Sequence, residues 1–166
     1  GGFPETSMEM LEANVGMRQA MAGYIERGYP VYAECGGLMY LCRNIIWGSR
    51  VCAMVGVIDA DAVMYARPQG RGYVRLQDTV EHLWPGGGVA EVAAHEFHYA
   101  RLEGLGSGLR FAWRVIRGSG IDGVGDGIIY KNLIAGFTHL RDVSAHHWTL
   151  RFLEHVRNCK SKLNLS

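Results

Sequence analysis

The stretch from Tyr29 to Leu41 limits the fold of this chain more than any other. Tyr29-Pro30-Val31-Tyr32-Ala33 is short and rich in β-formers, the composition of a buried strand. Glu34-Cys35-Gly36-Gly37 breaks it sharply, and Leu38-Met39-Tyr40-Leu41-Cys42 reads as helix. Strand, tight turn and helix therefore follow one another within a dozen residues. A side chain at such a turn projects above the sheet, clear of its own backbone. At Cys35 that position favours the thiolate, because a helix N-terminus presents free amides and the positive end of its dipole. Gly36 and Gly37 leave room for a substrate and let the amide after Cys35 face a developing oxyanion. A cysteine without this context is more often an inert thiol. Cys42, Cys52 and Cys159 are read that way, as core or surface thiols.

The segments around this turn suggest an α/β domain. Thr6 to Arg27 reads as a helix capped by Thr6 or Ser7 and ended by Gly28. Met10, Leu11, Asn14, Met17, Ala20, Met21 and Tyr24 give it one mostly apolar face. Val51 to Ile58 reads as a strand, as do Gly72–Leu76, His95–Tyr99 and Phe111–Ile116, with Gly86-Gly87-Gly88 as a loop. Gly127–Tyr130 and Leu133–Phe137 form a hairpin through Lys131-Asn132. Ala145 to Val156 reads as a closing helix with Trp148, Phe152, Leu153 and Val156 on one side. The chain opens on a Gly-Gly turn where a strand would be expected to precede it. A parallel sheet needs neighbours on both sides of its strands, so the expectation is a piece of a longer protein with an open sheet edge.

Composition excludes several classes. The net charge is +1, with acidic and basic residues interspersed, so there is no basic footprint for nucleic acid. No stretch reaches the roughly 18 apolar residues of a membrane span. The 23 glycines are scattered between apolar runs and read as tight turns. The four cysteines form no CxxC pair and no Cys/His metal spacing; free thiols in a reducing cytoplasm are the expectation.

Four ordered motifs carry a resemblance. They are Gly1-Gly2-Phe3-Pro4-Glu5, Tyr32-Ala33-Glu34-Cys35-Gly36-Gly37-Leu38-Met39-Tyr40-Leu41, His95-Glu96-Phe97-His98-Tyr99 and Phe137-Thr138-His139-Leu140. Together they resemble the C-terminal glutaminase domain of the cobyrinic acid a,c-diamide synthase family, from the first residue to about residue 155. The resemblance implies a flavodoxin-like, class I glutamine amidotransferase fold: a mostly parallel sheet flanked by helices, here lacking its first strands. The domain would span 1–159, with 160–166 as a flexible tail. It further implies that glutamine is hydrolysed to glutamate and ammonia. The ammonia passes to an N-terminal ATP-dependent synthetase domain or subunit, which amidates tetrapyrrole acetate groups. ATP and Mg would belong to that synthetase, and this domain would need no cofactor or metal.

The family's roles fall on particular residues. Cys35 matches the nucleophile and His139 its base, although a surface-loop histidine would read the same without the motif. Gly36 and the Gly2-Phe3 turn match the oxyanion amides. Glu5 either fixes that turn or caps the helix after it. Glu34 would point away from Cys35 and orient the loop. Glu96 and His98 would share one face of their strand and border the cleft. Arg101 resembles an arginine that clamps the substrate α-carboxylate, the alternative being a solvated surface arginine. His82, His146, His147 and His155 read as surface or helix-face residues.

One departure is pronounced. The family's second late histidine is Arg141 here, and the glutamate that ordinary class I enzymes carry two residues after the histidine is missing. A Cys-His dyad is therefore expected, with the orienting group open. Arg141 would lower the pKa of a nearby imidazole by like-charge repulsion. Two other readings stay in view. The acceptor could be sirohaem or nickel-sirohydrochlorin, or the chain could be a non-catalytic module that docks on a synthetase.

Overall fold

The Cys35 turn joins the two sheets of the fold. The computed structural model describes residues 1–87, 91–143 and 146–162. A 3-10 turn at Pro4–Ser7 leads into α1 (Met8–Ala13) and α2 (Val15–Glu26). Then come β1 (Val31–Glu34), α3 (Gly36–Leu41), β2 (Cys42–Trp47), β3 (Arg50–Ala53) and β4 (Ile58–Met64). They are followed by β5 (Gly70–Asp78), β6 (Val92–His98), β7 (Ala100–Glu103) and β8 (Arg110–Arg117). The described chain closes with β9 (Gly125–Tyr130), β10 (Leu133–Gly136), β11 (His139–Leu140) and α4 (Trp148–Lys162). The large sheet has the order β1-β10-β9-β8-β5-β6-β11 and the smaller one β3-β2-β4-β7. No helix among the described residues is long and apolar enough to cross a membrane.

The α/β class holds, but the strands are mostly antiparallel, not mostly parallel. Among the described residues only β1–β10 and β2–β4 pair in parallel. The connections explain this. A parallel neighbour needs a crossover of a dozen or more residues, usually helical. Between α3 and α4 the described residues contain no helix. The chain there returns through short turns such as Lys131-Asn132, where Lys131 adopts φ 52. Among the described residues β1 pairs on one side only, so the sheet has the open edge that was expected.

The helix expected over Thr6 to Arg27 is in three pieces. Asn14 interrupts it at φ −82, ψ 64, and its side chain caps α2 by accepting from Met17 N at 3.2 Å. The apolar face differs as well. Met8 and Ile25 are buried, while Met10, Met17 and Tyr24 are exposed. A break resets the helical phase, so a pattern read straight through it points the wrong side chains inward. The run from Val51 to Ile58 is likewise split, ending β3 at Ala53 and opening β4 at Ile58. Cys42 does not continue α3 but starts β2. In α4, Leu153 faces outward while His155 and Cys159 are buried, and the helix runs through Lys160 to Lys162, where a tail was expected. The other expected positions at Gly88, Ala145 and 163–166 lie outside the described residues.

Two cores result. The larger gathers α3 with β2, β4, β7, β9 and β10. The smaller is aromatic: Tyr32, Trp84, Trp148 and Phe152 pack together between α4 and the large sheet. A buried carboxylate ties down the chain between β10 and β11. Asp126 is fully buried and accepts from the Phe137 and Thr138 amides, each at 3.0 Å, and from the Thr138 hydroxyl. Removing that acceptor strands three buried donors. Asp126→Ala is expected to destabilise the fold by about 3 kcal/mol or more, and Asp126→Asn by less. The shift of the urea unfolding midpoint checks both.

Candidate active site

Cys35 sits at the sharp turn between β1 and α3 with φ 49, one of two described non-glycine residues in the left-handed region. Its amide donates to Gly136 O at 2.8 Å, which pins the turn to the end of β10. Its Sγ lies 3.8 Å from Phe97 O, and only 8% of the residue is exposed. Gly36 has a steric reason to be glycine. A Cβ there would stand 2.5 Å from Gly2 O and 2.8 Å from Pro4 Cδ. The opening Gly2-Phe3 turn therefore packs directly on the residue after Cys35. The structure thus brings together Cys35, Gly36, Gly2 and Phe3 as the sequence suggested. The cleft over Cys35 is narrow, about 20 Å³, and is lined in part by Phe3, Glu5, Phe97, His98 and Tyr99.

His139 enters from β11, which Asp126 holds through the two preceding residues. β11 pairs with β6, placing His139 opposite His95; the two rings stack at 4.9 Å, 14° apart. The Cys35 thiol and then the Glu34 carboxylate raise the His139 pKa to about 9, against the effect of burial. Glu34 Oε2 lies 3.5 Å from His139 Nδ1. Its Oε1 accepts from Tyr32 Oη at 2.6 Å and from Leu140 N at 2.9 Å. Burial pushes the Glu34 carboxyl up, but these partners together hold it below the usual range.

This corrects one expectation. Glu34 does not merely orient its loop; its carboxylate faces the histidine, at a place where the sequence after His139 offers none. Strand alternation hid it, because neighbours along a strand point to opposite faces. The signal available was the Tyr32-x-Glu34 spacing, which puts both side chains on one face, together with the vacancy at position 141. Arg141 acts on the imidazole of His95. Burial is the main cause lowering the His95 pKa, with the charges of His139 and Arg141 adding to it.

The remaining candidates divide. Glu96 and His98 share the inward face of β6, as the alternation predicts. His98 lines the cleft beside Cys35. Glu96 turns to the adjacent loop, accepting from Ser119 N at 2.7 Å and Gly120 N at 3.0 Å. Burial raises its pKa, but His98 and those two amides outweigh that and hold it low. Arg101 is not brought to Cys35. It lines a separate cavity of about 490 Å³ with the 118–123 loop, its guanidinium 5.9 Å from the Tyr65 ring. Glu5 makes no capping bond to the helix; it is buried at the cleft, and burial raises its pKa. The histidines read as surface or helix-face residues also divide: the His82 side chain is buried, His155 is buried on α4, and His147 is exposed.

Comparison with known proteins agrees with this geometry. Residues 1–144 match the CobB/CobQ-like glutamine amidotransferase domain. The chain is 41% identical over 148 residues to a cobyrinate a,c-diamide synthase of Magnetococcus marinus, covering 89% of this chain and 32% of that protein. It is 38% identical over 154 residues to the namesake from Archaeoglobus fulgidus, covering 93% and 33%. It thus spans about a third of the length of these relatives. In fold it is similar to a solved glutamine amidotransferase, with a TM-score of 0.65 at 17% identity, over 95% of this chain and 76% of that one. It is also similar to PurLQS from Thermotoga maritima, with a TM-score of 0.60 at 11% identity, over 86% and 67%. The cysteine at the strand–turn–helix junction, the histidine beside it and the family match over most of the sequence lead to one assignment: this chain belongs to the CobB/CobQ-like glutamine amidotransferase domain family.

Proposed function

We propose that the chain hydrolyses glutamine, with Cys35 as nucleophile, His139 as proton carrier and Glu34 as the carboxylate that holds the imidazole. The observation that carries this reading is the His139 ring, flanked by the Cys35 thiol and the Glu34 carboxylate. With a pKa near 9 the imidazole is protonated at neutral pH and holds the proton that the leaving ammonia needs. The space over Cys35 is smaller than glutamine, so the cleft widens when the substrate enters. The thiolate attacks the side-chain carbonyl carbon. The oxyanion forms facing the amides of Gly36 and the Gly2-Phe3 turn. The imidazolium gives its proton to the leaving amine and ammonia departs, leaving a γ-glutamyl thioester. Water then attacks the thioester while the neutral imidazole takes its proton, and glutamate is released. Glu5, buried at the same cleft, is placed to meet the substrate's α-ammonium group.

The ammonia would serve an ATP-dependent synthetase that uses ATP and Mg and amidates tetrapyrrole acetate carboxylates. That acceptor class follows from the name of the relatives, cobyrinate a,c-diamide synthase. Sirohaem or nickel-sirohydrochlorin as acceptor would ask the same of this domain. The reading as a non-catalytic docking module drew its support from the missing carboxylate after His139 and from Arg141; Glu34 at 3.5 Å from His139 argues against the first of these.

Cys35→Ala is expected to cut glutamine hydrolysis at least ~10³-fold and to abolish labelling by a glutamine-analogue diazo-ketone. Full turnover in that variant would overturn the assignment of the nucleophile. For Glu34→Gln the expectation concerns pH. A negative neighbour raises the His139 pKa, so removing it lowers that pKa. The thiolate–imidazolium pair is lost as pH rises through the histidine's pKa, which places the alkaline limb of the rate near 9 in the native protein. In Glu34→Gln that limb moves to lower pH, and kcat falls more than KM rises. An unmoved limb would reduce Glu34 to a structural residue.

A further inference from the structure

His98 stands where three parts of the site meet. Its strand, β6, ends at His98 in the large sheet, and β7 begins at Ala100 in the smaller one. The imidazole spans that passage, with Nδ1 2.8 Å from Ala100 O. A carbonyl oxygen only accepts, so Nδ1 carries a hydrogen. The backbone on either side is held as well: His98 O accepts from Gln69 N and Tyr99 O from Tyr65 N, each at 2.8 Å. One flat side of the ring lies on Phe137, with centroids 3.9 Å apart and planes 4° from parallel. Phe137 leads through Thr138 into His139. The residue before His98 supplies the carbonyl against which the Cys35 sulfur rests, 3.8 Å from Phe97 O. One ring therefore bears both on the segment that carries the imidazole of His139 and on the segment that backs the sulfur.

The far end of the ring is fixed too. His98 Nε2 is buried, has no hydrogen-bond partner among the described residues and lies 3.6 Å from Glu96 Oε2. That carboxylate is anchored in turn by the Ser119 and Gly120 amides. Gly70, opposite His98 on β5, leaves the room for both groups. A Cβ there would stand 2.1 Å from His98 Nε2 and 2.8 Å from Glu96 Oε2. Filling the core alone requires none of this, since an apolar ring would stack on Phe137 without the cost of burying polar groups. We infer that His98 is a positioning residue for the proposed glutaminase centre: held by Glu96 and Ala100 O and stacked on Phe137, its ring sets the separation between the Cys35 sulfur and the His139 imidazole. The inference deepens the glutaminase reading and rests on it for the chemistry that this separation serves.

Two variants disturb the ring in different ways. His98→Ala removes it, whereas Gly70→Ala keeps it and pushes it aside, because the added methyl would overlap Nε2. The first readout is the titration of the His139 ring followed by NMR. The titratable groups facing that ring are Cys35, Glu34 and His95. The Cys35 thiol does most to raise the His139 pKa to about 9, so drawing sulfur and imidazole apart is expected to lower it in both variants. The second readout is turnover of glutamine: kcat is expected to fall at least ~10-fold with KM within about three-fold of native, and the alkaline limb of the rate to move to lower pH. His98→Asn, whose amide can still donate to Ala100 O, is expected to recover part of the rate. Ile25→Val, buried on α2, is the control for lost stability and is expected to leave the titration unmoved. Should His98→Ala fail to fold, Gly70→Ala and His98→Asn decide. Three results would overturn the inference: an unmoved His139 titration in the His98 and Gly70 variants, a rise in KM with kcat unchanged, or an equal shift in Ile25→Val. The second would make His98 part of the substrate surface, and the third would reduce its effect to stability. A native protein that fails to hydrolyse glutamine overturns the glutaminase reading instead, and the NMR titration, which needs no turnover, still decides the role of His98.

Discussion

The left-handed backbone at Cys35 is the constraint from which the site follows. A side chain at φ 49 costs on the order of 1–3 kcal/mol and persists only where its surroundings over-determine it. Here they do so from three directions. Parallel pairing of β1 with β10 runs up to Glu34–Gly136, and the Cys35 amide then bonds to Gly136 O. The turn opens straight into α3, whose first amide belongs to Gly36. The Gly2-Phe3 turn presses on Gly36 so closely that any side chain there would collide with its backbone. The strain has a use, since it lifts the sulfur out of the strand plane and presents it to residues from β6 and β11.

The charge arrangement around that sulfur is economical. Glu34 precedes Cys35, so the same short segment carries both the sulfur and a carboxylate that faces His139. A carboxylate delivered after the histidine depends on the path of that second segment. One delivered from position 34 is fixed by the turn itself and by Tyr32, whose hydroxyl donates to it. Burial pushes the Tyr32 phenol well up, with Glu34 adding to the effect, so the phenol remains a proton donor. Through the Tyr32 ring the same carboxylate touches the aromatic core beneath α4. The orientation of His139 thus depends on packing some distance from the chemistry.

Much of this was legible in the sequence because it rests on local patterns. The β1–Cys35–α3 turn, the 131–132 hairpin turn and the alternation of Glu96 and His98 follow from composition and period. The parts that were not legible depend on tertiary placement. Asn14 looks like one polar residue in a helical pattern, yet its capping bond to Met17 splits the helix and turns Met10 and Met17 outward. Arg101 has the residue type suited to clamping a carboxylate, but β4–β7 pairing carries it to another cavity. Glu34 seemed to face away because alternation applies along a straight strand, and the chain stops being one at the next residue.

Three buried or half-buried carboxylates show a common logic in how the site is held. Asp126 accepts from the amides of Phe137 and Thr138, Glu34 from that of Leu140, and Glu96 from those of Ser119 and Gly120. Each serves backbone that leaves or borders the sheet ladder just where functional side chains are presented. Irregular backbone in a protein interior carries donors with no strand partner, and unpaired buried donors are costly. A carboxylate can take several of them at once and fix their direction. Two of the three then contact an imidazole as well: Glu34 lies 3.5 Å from His139, and Glu96 lies 3.6 Å from His98. The groups that let the chain turn out of its sheets are therefore also groups that set the charge at the cleft. For that reason, the precision of the site and its electrostatics cannot be altered separately.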